Sequence, residues 1–187
     1  MATTRICVGR IKGHVVQFHP STNLKPTAQQ VRLAVFSMIK QDIKNDKHIL
    51  DLYAGTGSFG LECLSRQAKN VFFIENEKSA FEILEKNIEK LKIKKKTKIF
   101  FNDVFNIIEK QKILLSKFDL IFCDPPFKDK NMGRLIELIF NKSLLKENGV
   151  IILHRNKATK EKLPNNFKIL DERVYGISKI LFGKLLS

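Results

Sequence analysis

Two apolar patterns take turns along most of the chain. Short, nearly unbroken apolar runs occur at 48–53, 71–74, 99–101, 118–123 and 149–154. Runs of that length, bounded by polar or turn residues, read as strands covered on both faces. Between them, apolar residues return every three or four positions. Phe81, Ile83, Leu84, Ile88 and Leu91 mark a long helix from about Lys78. A shorter helix runs through Cys63 and Leu64, another spans Val104 to Leu115, and Leu135, Ile136, Leu138, Ile139 and Leu144 mark one more. Lys92 to Lys98 reads as a solvated, lysine-rich connection.

Regular strand–helix alternation over more than a hundred residues predicts an α/β, Rossmann-like fold: a mostly parallel seven-stranded sheet with helices on both faces. Phe167–Leu170 and Val174–Phe182, turning near Tyr175-Gly176, supply a closing antiparallel pair. Ahead of the first core strand, Arg5–Val8 and His14–Phe18 flank Gly9 and Gly13 and predict a small hairpin. A polar loop from His19 to Lys25 follows. Pro26-Thr27 then opens a helix whose apolar stripe is Val31, Ala34, Val35, Met38 and Ile39; Arg32 falls off that stripe, facing solvent or a phosphate. The division expected is a basic extension over 1–26 and one catalytic domain over 27–187.

In such sheets the ligand sits at the carboxyl ends of the strands. Four acids fall there: Asp51, Glu75, Asp103 and Asp124. Gly55-Thr56-Gly57-Ser58-Phe59-Gly60 follows the first strand, and glycines let a ligand approach the backbone closely. The spacing alone would suit a dinucleotide. Asp51 just before the loop opposes a pyrophosphate and suits the ammonium or sulfonium region of S-adenosylmethionine. Glu75 ends the second strand, where a carboxylate accepts both ribose hydroxyls. Asp103 could accept from the adenine amine; the alternative for it is a helix N-cap.

Phe118–Cys123 runs into Asp124-Pro125-Pro126-Phe127. The prolines have no N–H to pair, so the strand stops there and the backbone stiffens. An exocyclic amine is a poor nucleophile because its lone pair is delocalised. The Asp124 carboxylate and the Pro125 carbonyl, gripping its hydrogens, would favour a more tetrahedral nitrogen, and Phe127 would stack on the base. That is positioning plus electrostatics.

Charge sharpens the picture. The 187 residues carry a formal net charge of +15, which suits nucleic acid. Lysine-rich composition can also reflect a biased genome, so distribution matters more: residues 1–41 hold Arg5, Arg10, Lys12, Lys25, Arg32 and Lys40 and no acid. Cys7, Cys63 and Cys123 lack metal-ligand spacing and fit small core residues in a reduced, cytoplasmic setting. No secretory signal is visible, and no apolar run approaches the roughly 18–20 residues that span a membrane. No metal, no membrane and a monomer are expected.

The stretch 51–66 (Asp-Leu-Tyr-Ala-Gly-Thr-Gly-Ser-Phe-Gly-Leu-Glu-Cys-Leu-Ser-Arg), then Phe73-Ile74-Glu75, then Asp124-Pro-Pro-Phe, resembles the class I S-adenosylmethionine-dependent N-methyltransferases. Leu24-Lys25-Pro26-Thr27 with the following helix, and the basic Gly9–Gly13 segment, are similar to the RsmD family. Lys25 stands where that family usually has Arg, and Val8 and His14 replace its usual Gly and Arg. The resemblance implies methylation of guanine N2 in 16S ribosomal RNA, in the small ribosomal subunit or its assembly intermediate. It implies a cofactor set of Asp51, Tyr53, Ala54, Gly55, Gly57, Glu75, Asn76, Asp103 and Val104. It implies a catalytic set of Asp124, Pro125 and Phe127, and RNA contacts from Arg10, Lys12, Lys25, Thr27 and Arg32.

Overall fold

The computed structural model describes residues 2–18, 29–39, 43, 46–110 and 117–186. Two strands, β1 (Ala2–Arg5) and β2 (Val15–Phe18), form an antiparallel hairpin. Helix α1 (Gln29–Met38) follows, and then β3 (His48–Leu52), α2 (Ser58–Ser65), β4 (Asn70–Glu75), α3 (Lys78–Lys90), β5 (Thr97–Phe101), α4 (Val104–Lys110), β6 (Phe118–Cys123), α5 (Met132–Asn141), β7 (Leu145–Asn156), β8 (Phe167–Tyr175) and β9 (Ser178–Leu185).

The seven-stranded sheet has the order β5-β4-β3-β6-β7-β9-β8. Strands β3 to β7 pair in parallel, while β9 runs antiparallel to both β7 and β8. One face buries Val35, Phe59, Leu61 and Leu84 from α1, α2 and α3; the other buries Ile107, Leu135, Ile136 and Ile139 from α4 and α5. Helices on both faces explain why the strand sequences read as continuous apolar runs. The predicted parallel sheet and its closing antiparallel pair are therefore present. Strand β7 is longer than its apolar run, and β8 and β9 turn at Gly176, which has φ +59°. Leu144, expected on the last helix, lies beyond the end of α5. The predicted helix over 104–115 ends at Lys110 among the described residues, and 111–116 lie outside them.

The hairpin differs from its predicted register. The first strand is Ala2–Arg5 rather than Arg5–Val8. Ile6 still bonds across the hairpin to His14 and Gly13, and from Cys7 onward α2 claims the backbone: Cys7 and Val8 donate N–H to the Glu62 carboxylate at 2.7 and 2.9 Å. Arg10 N–H donates to the Ser65 carbonyl at 2.8 Å, and Ser65 Oγ accepts from Ile11 N–H at 3.2 Å. Ile6 and Val16 sink into the core beside α1. On the second strand, Asn87 of α3 exchanges hydrogen bonds with the Gln17 backbone at 3.0 and 3.2 Å. The extension is therefore bonded to the body through α2 and α3.

Gly9 makes this docking possible. Its φ is +99°, and a Cβ there would sit 2.1 Å from the Ser65 carbonyl oxygen. Gly9→Ala should destabilise the protein by about 1–3 kcal/mol, the usual size of backbone strain. Urea or thermal unfolding checks this; an unchanged midpoint would show that the hairpin does not need that close approach.

Candidate active site

The register of the central strands assembles the site. Leu52 of β3 pairs with Cys123 of β6, and Cys123 pairs with Leu153 of β7. The glycine turn after β3 and Asp124 after β6 therefore leave the sheet side by side, next to His154 within β7. Because β4 lies on one side of β3 and β6 on the other, this is the point where the strand order reverses, the usual ligand crevice of such sheets.

The glycine turn is tightly wound. Tyr53, Gly55 and Gly57 have φ of 61°, 56° and 85°. Ala54 N–H donates to the Ile74 carbonyl at 2.9 Å, and Gly57 N–H to the Ala54 carbonyl at 2.8 Å. A Cβ on Gly57 would meet Leu84 Cδ1 at 2.5 Å, so α3 packs directly on the turn. Asn87 also donates to the Thr56 carbonyl at 3.1 Å. Tyr53 is half-buried, and burial pushes its hydroxyl pKa up.

Carboxylates brace the turn. Glu75 ends β4, 5% exposed. Its Oε2 accepts from Gly55 N–H at 2.6 Å, and its Oε1 from Asn76 and Glu77 N–H at 2.9 and 2.7 Å. Asn76 itself is exposed. Burial raises the Glu75 pKa against the pull of those three N–H groups. Asp51 is 1% exposed and accepts from Gly60 N–H at 3.0 Å. It holds the first turn of α2 from below. Burial, with the nearby Asp124 and Glu75 charges, raises its pKa well above the usual carboxylate range. Asp103 Oδ1 accepts from Asn106 N–H at 3.0 Å, capping α4, and Val104 is buried beside it.

The other side of the crevice is built from β6 and β7. Asp124 is partly buried, Pro125 is buried and Phe127 is 36% exposed. Asp124 Oδ1 lies 2.8 Å from His154 Nδ1, and His154 Nε2 lies 2.9 Å from Ser178 Oγ. The Phe127 ring meets the His154 ring edge-on, with centroids 5.5 Å apart. Arg155, fully buried, donates to the Pro126 carbonyl at 3.3 Å, to the Asp129 carbonyl and to Glu161. A buried cation needs such partners, and these three fix the turn that carries Phe127. Sequence reasoning missed His154, Arg155, Ser178 and Glu161. The signal available was a polar pair, His154-Arg155, directly after the buried run of the fifth strand.

Of the expected RNA contacts, Arg10 and Lys12 are exposed on the hairpin loop. Lys25 and Thr27 lie outside the described residues. Arg32 is a correction: it is 1% exposed and donates to Thr4 Oγ1 at 3.0 Å and to the Arg5 carbonyl at 3.3 Å. It pins α1 to the hairpin instead of meeting a phosphate, because the hairpin covers the face the helical stripe left open. Cys63 and Cys123 are core residues as expected, whereas Cys7 is half-exposed. Among the described residues, no group of three or more His, Cys, Asp or Glu could hold a metal ion, and no helix is long and apolar enough to cross a membrane.

Solved structures share this architecture. A candidate methyltransferase of Escherichia coli, yhhF, superposes with a TM-score of 0.85 at 26% identity over 98% of both chains. A candidate methylase of Haemophilus influenzae gives 0.81 at 28% identity over all of both chains. Fold and site together define a Rossmann-like methyltransferase. The family model described as conserved hypothetical protein 95 matches residues 4–184, and the chain belongs to that family. A Haemophilus influenzae relative named ribosomal RNA small subunit methyltransferase D is 33% identical over 173 residues, 92% of this chain and 89% of the relative. A Buchnera aphidicola relative of the same name is 31% identical over 90% of this chain and 86% of its own.

The buried Asp51 carries a pH signature. Its folded pKa is raised, so its protonated form favours folding, and that contribution is lost as pH rises above the unfolded value of about 3.9. Asp51→Asn keeps an oxygen for Gly60 N–H without the charge. The stability difference, variant minus wild type, should grow as pH rises from about 4. Denaturant unfolding across pH checks this; a difference that shrinks with pH would mean that the fold favours the ionised carboxylate.

Proposed function

We propose that the protein transfers a methyl group from S-adenosylmethionine to the exocyclic N2 of a guanine in small-subunit ribosomal RNA. The observation that carries this reading is the pairing of Leu52 with Cys123, which sets the glycine turn and Asp124 on adjacent strand ends. The relatives' name, ribosomal RNA small subunit methyltransferase D, supports the substrate class.

The donor set fits the cofactor. Carboxylates at the ends of β4 and beyond β5 suit hydroxyl and amine donors and oppose a pyrophosphate. Glu75 would hold the ribose, Asp103 the adenine amine through the oxygen that does not cap α4, and residues 53–57 with Asn76 and Val104 would form the cradle. Glu75 now accepts three backbone N–H groups out of the roughly four sites a carboxylate offers, so seating a ribose loosens its hold on Gly55. When bound, S-adenosylmethionine supplies an electrophilic methyl group.

The chain's own residues do the rest. A guanine splayed from the RNA enters beside Phe127 and stacks on its ring. Asp124 and the Pro125 carbonyl accept the two N2 hydrogens, which draws the nitrogen toward tetrahedral geometry and frees its lone pair. Asp124 or water takes the surplus proton. Arg10 and Lys12, with Lys25 and Thr27, hold phosphates.

Incubating the protein with labelled cofactor and unmethylated small subunits should yield N2-methylguanosine after digestion. N6-methyladenosine would replace the acceptor, and no label in RNA would overturn the reading. Asp124→Ala should abolish transfer while leaving cofactor affinity within about threefold; lost cofactor binding would refute that division of roles. Replacing Arg10 and Lys12 together by Ala should weaken RNA binding and reduce its salt dependence by about 0.7–0.9 per residue in the log–log slope. A filter-binding salt titration reads this; an unchanged slope would take both residues off the interface.

A further inference from the structure

His154 has a place in the site that the reaction as described does not use. It follows Leu153, the partner of Cys123, so its ring faces Asp124 across the ends of β6 and β7. Its side chain is 7% exposed against 21% for Asp124. An ionised carboxylate only accepts, so the Nδ1 contact at 2.8 Å makes Nδ1 the donor. In the neutral ring Nε2 is then an acceptor, and the Ser178 hydroxyl at 2.9 Å can rotate to donate to it. Ser178 is itself buried, at the start of β9 and paired with Asn156. The same ring carries the edge-on contact with Phe127. One imidazole, held at its far nitrogen by a strand of the closing pair, thus touches both the carboxylate and the aromatic that the acceptor would meet.

We propose that His154 is the positioning residue of the acceptor site, fixing the Asp124 carboxylate plane through Nδ1 and being fixed in turn by Ser178 through Nε2. This rests on the reading of Asp124 as the group that holds the acceptor amine. The rotation of a carboxylate about its terminal bond is broad and nearly free. Holding Oδ1 on the imidazole sets the carboxylate plane, so the other oxygen meets the amine without reorganising as the methyl group transfers. Removing such a support typically costs 10–100-fold, a magnitude known best from residues supporting metal ligands.

The test is single-turnover methyl transfer to small subunits at saturating cofactor, with cofactor affinity measured by calorimetry. His154→Leu should lower the transfer rate about 10–100-fold with cofactor affinity unchanged. His154→Asn, which keeps an N–H near the Nδ1 position, should recover most of that loss. Ser178→Ala should give a smaller loss in the same direction. Failure of the Asn rescue would make His154 merely structural and overturn the proposal. Full activity of His154→Leu would do the same. Full activity of Asp124→Ala, by contrast, would overturn the amine-holding reading itself, whatever the His154 variants do.

Discussion

The pairing of β3 with β6 is the constraint on which the rest depends. These two strands lie at the centre of the sheet, and from β3 the chain winds outward to β4 and β5 before returning to β6. Their register brings Asp51 opposite Phe122 and Leu52 opposite Cys123. Beneath the crevice Phe59, on the first turn of α2, stacks on Phe122 with centroids 3.9 Å apart. That contact ties the helix after the glycine turn to the strand before Asp124. A slip of one residue would turn every side chain to the opposite face. It would break the stack, bring Asp51 out from under α2 and separate the glycine turn from the acceptor carboxylate.

The buried acids of this basic protein work on its own backbone. Glu62 takes the N–H groups of the hairpin loop, Asp51 takes Gly60 and Glu75 takes Gly55. Hydrogen bonds from backbone N–H to a carboxylate are among the stronger ones available. A chain with an excess of cations outside can place its few anions where loops need holding. Asn87 extends the same logic with a neutral side chain, joining the Gln17 backbone in the hairpin to Thr56 in the glycine turn. The two working segments are thereby held by one helix.

The architecture was legible because a two-sided parallel sheet writes itself as alternating apolar runs and helical stripes, and the glycine turn and Asp-Pro-Pro-Phe announce where it opens. What stayed hidden depends on contacts distant in sequence. The strand at Arg5–Val8 looked regular until Glu62, more than fifty residues on, drew its backbone away. Arg32 sits off the apolar stripe of its own helix, and only the hairpin folded over it shows that it is interior. Asp51, placed at the ligand end by its position, also braces the Gly60 backbone, and Asp103 also caps α4. A helix cap and a turn brace use the same carboxylate chemistry as ligand binding. His154 and Arg155 follow an apolar run like any strand end, and their partners at Asp124, Pro126, Glu161 and Ser178 come from three other segments.

Charge also sorts what approaches the crevice. RNA presents phosphates everywhere and bases only where they are splayed. The acids ending β4 and β6 and following β5 make the sheet edge unfavourable for a phosphate at short range. A screening length of about 8 Å at physiological salt confines that repulsion to the crevice. The exposed cations of the hairpin loop carry the opposite charge. Under the proposed function the two fields divide one substrate between them. The backbone is drawn to the hairpin, and what enters between Gly55 and Asp124 is a group with amine hydrogens to give. On that proposal Glu75 and Asp124 act by exclusion as well as by contact, which gives a reason for leaving acids at the mouth of a site that meets a polyanion.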